Sequence, residues 1–217
     1  MKKIFLILPL FFGVLGCGPS YRVGLNGYSA SGVDLQLPHT SSISVVADTN
    51  APNPLLEKEI ASKIQKLLNE KGYAQAPIDR ANFYLFFEYG IDSGRTKTGA
   101  MPMYHPGGTA TVNTFHSYGG SSYSTIQTPG YTTYVPYSRT VYTRWLNLLL
   151  YDKRVMEYKV EPVWIGTITS SGRSSDLREM INYMLVCAFD HFGENTKKRI
   201  IRQVSADDKR AKALMGN

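Results

Sequence analysis

The sequence predicts an α+β fold: an antiparallel or mixed sheet of about four to five strands with two amphipathic helices packed on one face. Two observations carry this. Apolar residues recur at helical spacing over residues 54–71 and 177–192, and apolar, alternating runs stand between and before those stretches. A third observation sets the other feature of the fold. Residues 98–138 contain no Asp, Glu, Lys or Arg, but six Tyr, six Gly, eight Thr, five Ser and four Pro. No core helix has that composition, so a long Tyr/Gly/Ser/Thr-rich insert interrupts the sheet.

At the start of the chain, Lys2 and Lys3 precede an apolar run from Ile4 to Val14 that closes on Val14-Leu15-Gly16-Cys17. A positive segment, a short apolar segment and a small residue before a cut make a secretory signal peptide, too short for a membrane span. With Cys directly after the small residue, the stretch resembles the bacterial lipobox, in which the Cys thiol is acylated and the chain is cut before it. The alternative is a plain cleaved signal with a chance Cys. Residues 1–16 are thus expected to be signal peptide and Cys17 the lipidation site. The membrane is then a partner through the N-terminal lipid, and the protein belongs to the cell envelope. Gly18 stands where Asp retains some bacterial lipoproteins at the inner membrane, so the resemblance implies the outer membrane, facing the periplasm.

Residues 17–42, rich in Gly, Ser and Pro, read as a lipid-anchored tether. A single domain over residues 43–194 follows. Ile43 to Ala47 is β-branched and apolar and reads as a short strand. Asn53-Pro54 then supplies an N-cap and a first-turn proline. Leu56, Ile60, Ile64, Leu67 and Leu68 fall on one face of the resulting helix, and Gly72 ends it. The aromatic run from Phe83 to Tyr89 suits a strand against that helix.

Within the insert, pieces such as Thr109 to Phe115 alternate and could pair as strands. Thr140 to Tyr151 reads as a long central strand and Tyr158 to Thr169 as its hairpin partner, with Pro162 marking a late start, a bulge or an edge. Asp176 and Glu179 offer a capping box for a second helix, striped with Leu177, Met180, Ile181, Met184, Leu185, Ala188 and Phe192 and ended by Gly193. Residues 195–217 read as a basic tail with too few apolar side chains for a core of its own. It is either solvated or, through Lys197, Lys198, Arg199 and Arg202, a contact for an anionic surface.

Together, Asn53-Pro54-Leu55, Lys71-Gly72-Tyr73, Ala81-Asn82-Phe83 and Trp164-Ile165-Gly166 resemble the bacterial lipoprotein family of domain of unknown function 4136. The resemblance implies a small α+β layout similar to the amino-terminal domain of periplasmic TolB, and no activity. The chain departs from the pattern in its longer link from Asp152 to Trp164 and in the extra residues after Gly193.

Charge and motifs narrow the function. The formal net charge is +7. Residues 17–194 nevertheless hold fifteen basic and fifteen acidic side chains, so the body is neutral and lacks the basic face a nucleic-acid binder needs. No nucleic acid is expected as a partner. Cys187 sits in an apolar helical run and reads as a buried hydrophobe more readily than as a catalytic thiol. The histidines, His39, His105, His116 and His191, stand in no metal-ligand spacing. His105 and His116 share the insert but lack a nearby carboxylate.

No nucleophile elbow, P-loop or dinucleotide fingerprint is present, and carboxylates such as Glu88 and Asp92 are as readily solvated strand ends. The expectation is therefore no catalytic residue, no metal and no cofactor. The reading is a non-enzymatic binding or scaffolding module of the envelope, with an envelope hydrolase of dispersed active site as the alternative. In the module reading, Tyr104, Tyr118, Tyr123, Tyr131, Tyr134 and Tyr137 form a contact surface for an envelope protein or glycan. The competing view of the insert is a disordered loop with no partner.

Overall fold

The computed structural model describes residues 19–32, 34–35, 37–38, 40–156 and 160–216. In chain order its elements are β1 (Ser20–Ser29), β2 (Ser42–Val46), α1 (Pro54–Glu70), β3 (Ala74–Gln75), β4 (Phe83–Ile91), β5 (Arg95–His105) and β6 (Gly108–His116). They continue with β7 (Gly120–Thr128), β8 (Tyr131–Asp152), α2 (Lys153–Met156), β9 (Trp164–Gly172), α3 (Leu177–Asp190), β10 (Ile200–Ser205) and α4 (Lys209–Met215). The described residues form two compact units: those up to Ile91 together with those from Thr143 onward, and Asp92–Tyr142.

The expectation of a four-to-five-stranded sheet with two helices is overturned. Strands hold 48% of the described residues and helices 22%, so the described chain has more sheet than helix. The path β10-β1-β9-β8-β4-β2-β3, with β5 paired to β8, makes eight strands, and β6-β7 forms a second sheet. Two of the additional strands, β1 and β10, lie outside the expected domain, and each is hidden in the sequence for a physical reason.

The first hidden strand is β1, within the stretch read as a tether. It pairs antiparallel with both β9 and β10, and Val23 and Leu25 are fully buried. Its glycines suggest a loop but serve close approach. A Cβ at Gly24 would sit 2.4 Å from the Arg199 guanidinium, and one at Gly27 would sit 2.3 Å from the Glu194 carbonyl oxygen. The second is β10, within the stretch read as a tail. It lies at the end of the sheet path as an edge strand, with Arg202 as its one basic side chain. Beyond it, Asp208 caps α4 through bonds from the Arg210 and Ala211 amides (3.0 and 2.9 Å). Ala211 and Leu214 are buried in the main core.

The expected elements stand close to their predicted limits. The Asn53 side chain accepts from the Leu56 amide at 3.1 Å, and Gly72 adopts φ +85° just past α1. The stripe Ile60, Ile64, Leu67 and Leu68 shares one core with Ile181, Met184 and Leu185 of α3. The Asp176 carboxylate accepts from the Glu179 amide at 2.8 Å. The capping box is not reciprocal, because Glu179 instead accepts from the Tyr21 hydroxyl of β1 at 3.2 Å. Strand β9 begins at Trp164, two residues after Pro162, which fits a late start. Tyr158 lies outside the described residues. β2 runs parallel to β4, with α1 as their crossover, and β4 runs antiparallel to β8.

Two predictions follow from this packing. Leu214 is 1% exposed, so Leu214→Ala should cost about 2 to 5 kcal/mol in urea unfolding, as buried leucines do; a side chain on a solvated tail would cost less than about 0.5 kcal/mol. Burial, reinforced by Asp190, pushes the Cys187 thiol from 9.0 up to about 11. The thiol form is the one the fold favours. The resulting stabilisation is present below pH 9 and is lost as pH rises towards 11. The melting temperature should fall over that window, and Cys187→Ala should flatten the first part of the fall, before the buried tyrosines titrate.

Candidate functional site

In the second unit the residues read as an insert form two β-ribbons. β5 pairs with the first half of β8, from Arg95 opposite Val141 to His105 opposite Tyr131. β6 pairs with β7 from Gly108 opposite Thr128 to His116 opposite Gly120. The three residues between β6 and β7 make a tight turn: the Gly119 amide donates to the His116 carbonyl at 3.1 Å, and Gly119 takes φ +78°, which suits glycine.

Cross-strand partners share a face of an antiparallel pair. Met101, His105, Tyr131, Val135 and Tyr137 therefore occupy one face of the β5-β8 ribbon, and Pro102, Tyr104, Tyr134 and Pro136 the other. Tyr137 lies across Gly99, where a Cβ would meet the ring at 2.7 Å. His105 stacks on Tyr131 at 4.7 Å and 16° and bonds the Thr133 hydroxyl at 2.9 Å. Tyr123 and Phe115 share a face of the β6-β7 ribbon, and Tyr118 stands in its turn. All six predicted tyrosines are exposed, from 42% for Tyr137 to full exposure for Tyr118. The structure thus keeps them on one unit but spreads them over both faces and the tip.

The predicted basic contacts are not gathered in one place. Arg199 reaches back over Gly24, and its Nη2 donates to the Thr169 hydroxyl at 2.6 Å. Arg202 pairs in register with Val23 and so shares its face, the side of the sheet that carries α3, with its own residue exposed at the edge strand. Lys197 adopts φ +53° in the turn before β10, next to Lys198. Two other basic residues of the segment are already in ion pairs, Arg210 with Asp190 at 2.6 Å and Lys212 with Asp207 at 2.5 Å. Cys17 and His39 lie outside the described residues.

A cleft that the sequence did not signal lies in the first unit where β2, β4 and the start of α1 meet. It encloses about 620 Å³ and is lined by Val46, Asp48, Leu56, Phe86, Tyr89 and Trp145, among others. Glu57 on its wall is 4% exposed. Its carboxylate accepts from the Asp48 amide at 2.9 Å and from the Tyr89 hydroxyl, and burial together with that bond pushes Tyr89 up to about 12. Glu57 is engaged as a latch between α1 and the strand ends. Trp145 lies over Gly90, its cross-strand partner. The cleft offers an apolar, aromatic wall. A glutamate on a solvent-facing helix turn is ordinary in sequence, and only the chain path from β2 reveals what it holds.

His191 and Glu194 pair at 2.6 Å where α3 ends. The other ring nitrogen, Nε2, is buried and meets no hydrogen-bonding partner among the described residues, so no serine or cysteine is aligned with it. Also among the described residues, no three His, Cys, Asp or Glu side chains group to hold a metal ion, and no helix is long and apolar enough to cross a membrane.

Comparison with known proteins adds the following. No curated protein matches the sequence. Among solved structures, a PDZ domain protein from Parabacteroides distasonis ATCC 8503 is similar at 12% identity and a TM-score of 0.48, over 88% of this chain and 41% of that one. The chain therefore spans about two fifths of that protein's length. The PelC dodecamer from Paraburkholderia phytofirmans is similar at 13% identity and a TM-score of 0.39, over 76% of this chain and 93% of that one. The family described as Domain of unknown function (DUF4136) matches residues 29–192, most of the chain, and the protein belongs to that family.

Proposed function

We propose that the protein is a membrane-anchored envelope lipoprotein that acts as a non-enzymatic binding or scaffolding module, with the second unit as its contact surface. The observation that carries this reading is the display of six exposed tyrosines, five on paired strands and Tyr118 in the turn that joins two of them, in a stretch free of charged side chains between Thr98 and Ser138. Tyrosines held on a ladder lose less freedom on binding than tyrosines on a loop, and their rings give large contact area with a polar tip. Such a surface suits a protein or glycan of the envelope.

The anchor rests on the Lys2-Lys3 segment, the apolar run and Cys17. Two acyl chains, each buried at about 0.8 kcal/mol per methylene, hold a protein on a bilayer stably. Gly18 favours the outer membrane, facing the periplasm, and Lys197, Lys198, Arg199 and Arg202 are available to anionic groups there. The alternative, an envelope hydrolase, has the His191-Glu194 pair in its favour. Against it stands the burial of the nitrogen that would serve as base.

Two measurements test the proposal. Labelled fatty acid should enter the wild-type protein and not Cys17→Ala; equal labelling of both, or of neither, sinks the anchor. Replacing Thr98–Ser138 with a short Gly-Ser linker should leave the melting of the first unit within a few degrees of wild type and remove proteins crosslinked to the chain in intact cells. Long insertions are entropically mild, since a doubling of loop length costs only about 0.6 kcal/mol. An unchanged set of crosslinked proteins would show the second unit to be idle.

A further inference from the structure

The two ribbons of the second unit differ in how their edges are guarded. Every strand of a two-stranded ribbon presents one outward row of amide and carbonyl groups, a template for another strand. In the β5-β8 ribbon each strand carries a proline, Pro102 and Pro136, and the base carries Arg95, Lys97 and Arg139. Proline removes a donor and charge repels a neighbour, the usual protections of an edge. The β6-β7 ribbon has neither. Its two nine-residue strands contain no proline and no Asp, Glu, Lys or Arg, and every residue in them is exposed. A lone two-stranded ribbon is marginally stable in water, whereas a third strand supports it.

The strands β6 and β7 are not equivalent. β6 holds Thr109, Thr111, Val112, Thr114 and Phe115, residue types that favour extended, paired backbone. β7 begins with Gly120, Ser121 and Ser122 and is the weaker template. The edge of β6 asks for an extended strand of similar length that brings no charge, because a charged strand would find no counter-charge opposite. A second β6 meets every term: nine residues, uncharged, unguarded and present on every copy. Two β6 strands can meet antiparallel about a two-fold axis at Val112, the middle residue. Val112 then faces its twin, Ala110 faces Thr114, and Thr109 faces Phe115. No like charges come together across that seam, and an isologous contact closes at the dimer.

We infer that the tip hairpins of two copies join edge to edge through β6 to form a four-stranded sheet, so that the first partner of this surface is a second copy of the chain. The inference rests on the second unit being the contact surface and goes further by naming the occupant and the strand.

The test uses the full chain in its own cells, with single cysteines placed in turn at Thr111, Val112, Asn113 and Ser124. Directly opposed residues of an antiparallel pair come about 4.5 to 5.5 Å apart at Cα, within disulfide reach. Under mild oxidation, Val112→Cys should give a disulfide-linked dimer as its main species on a non-reducing gel. Thr111→Cys and Asn113→Cys should give less. Ser124→Cys, which lies opposite Val112 on β7 and away from the β6 edge, should give none, as should the parent chain, whose Cys187 is buried.

Val112→Lys should abolish the dimer seen by amine-independent photo-crosslinking, and Val112→Thr should keep it. Absence of the Val112→Cys dimer, an equal dimer from Ser124→Cys, or an unaltered dimer in Val112→Lys overturns the inference. If the Val112→Cys chain stays monomeric while removal of Thr98–Ser138 still strips other proteins from the crosslinked set, self-pairing falls and the contact surface stands. If that set is also unchanged, both fall.

Discussion

The fold depends on a strand contributed by the first described residues and placed between two strands from the end of the chain. β1 joins β9 on one side and β10 on the other. Without it those strands have no common neighbour, and α3 loses the floor made by Val23 and Leu25. The same strand explains the tolerance for Arg199 and Glu194 lying against backbone at Gly24 and Gly27. It also brings Tyr21 to the Glu179 carboxylate and against Tyr183, whose rings lie 4.4 Å apart. Tyr183 in turn donates to the Ala206 carbonyl ahead of α4. One pairing choice near the start of the chain therefore fixes the last helix.

What was legible in the sequence is the part whose burial is one-sided. Ile60, Ile64 and Leu67 could only be the inner stripe of a helix, and Asn53, Asp176 and Gly72 marked ends because orphan amides and a left-handed turn demand such residues. The strands β4, β8 and β9 announced themselves through apolar runs. Missed were the elements whose composition answers a different demand. In β1, glycine answers the close approach of Arg199 and Glu194. In β10, an edge strand that carries Arg202, Gln203 and Ser205, Val204 is the one buried apolar residue. In α4, two buried residues, Ala211 and Leu214, suffice because the helix is short and rests chiefly on α3, with Lys66 of α1 donating to its Ala213 carbonyl at 3.1 Å.

The second unit was hard to read for the opposite reason. Strand patterns betray themselves when one face is dry and the other wet, but β5, β6, β7 and the first half of β8 are exposed almost throughout. Tyr, Thr and Ser are accepted on either face, so no alternation remains and the composition resembles a loop. The six tyrosines are exposed, while the ladders of this unit were not foreseen beyond Thr109 to Phe115. The cleft at Glu57 escaped because its walls come from β2, α1, β4 and β8, and no local spacing links them.

Placing β1 in the sheet also changes what a lipid on Cys17 would mean. Only three residue steps separate Cys17 from Ser20, and a chain reaches at most about 3.6 Å per residue. An anchor there holds the first residue of the sheet within about 11 Å of the acylated sulfur's backbone, not at the end of a long tether. That distance is comparable to the screening length of about 8 Å at physiological salt. Near this end of the sheet Arg22 lies opposite Gln203 and Arg202 opposite Val23, two and three residues along β1 from Ser20, and the basic residues of α4 follow β10. Lys197 and Lys198 precede Ile200, which pairs with Leu25 five residues further along β1, roughly 17 Å away at 3.4 Å per residue. Of the basic residues read as an anionic contact, Arg202 would then stand nearer such an anchor than Lys197 and Lys198, since it pairs with Val23, three residues along β1.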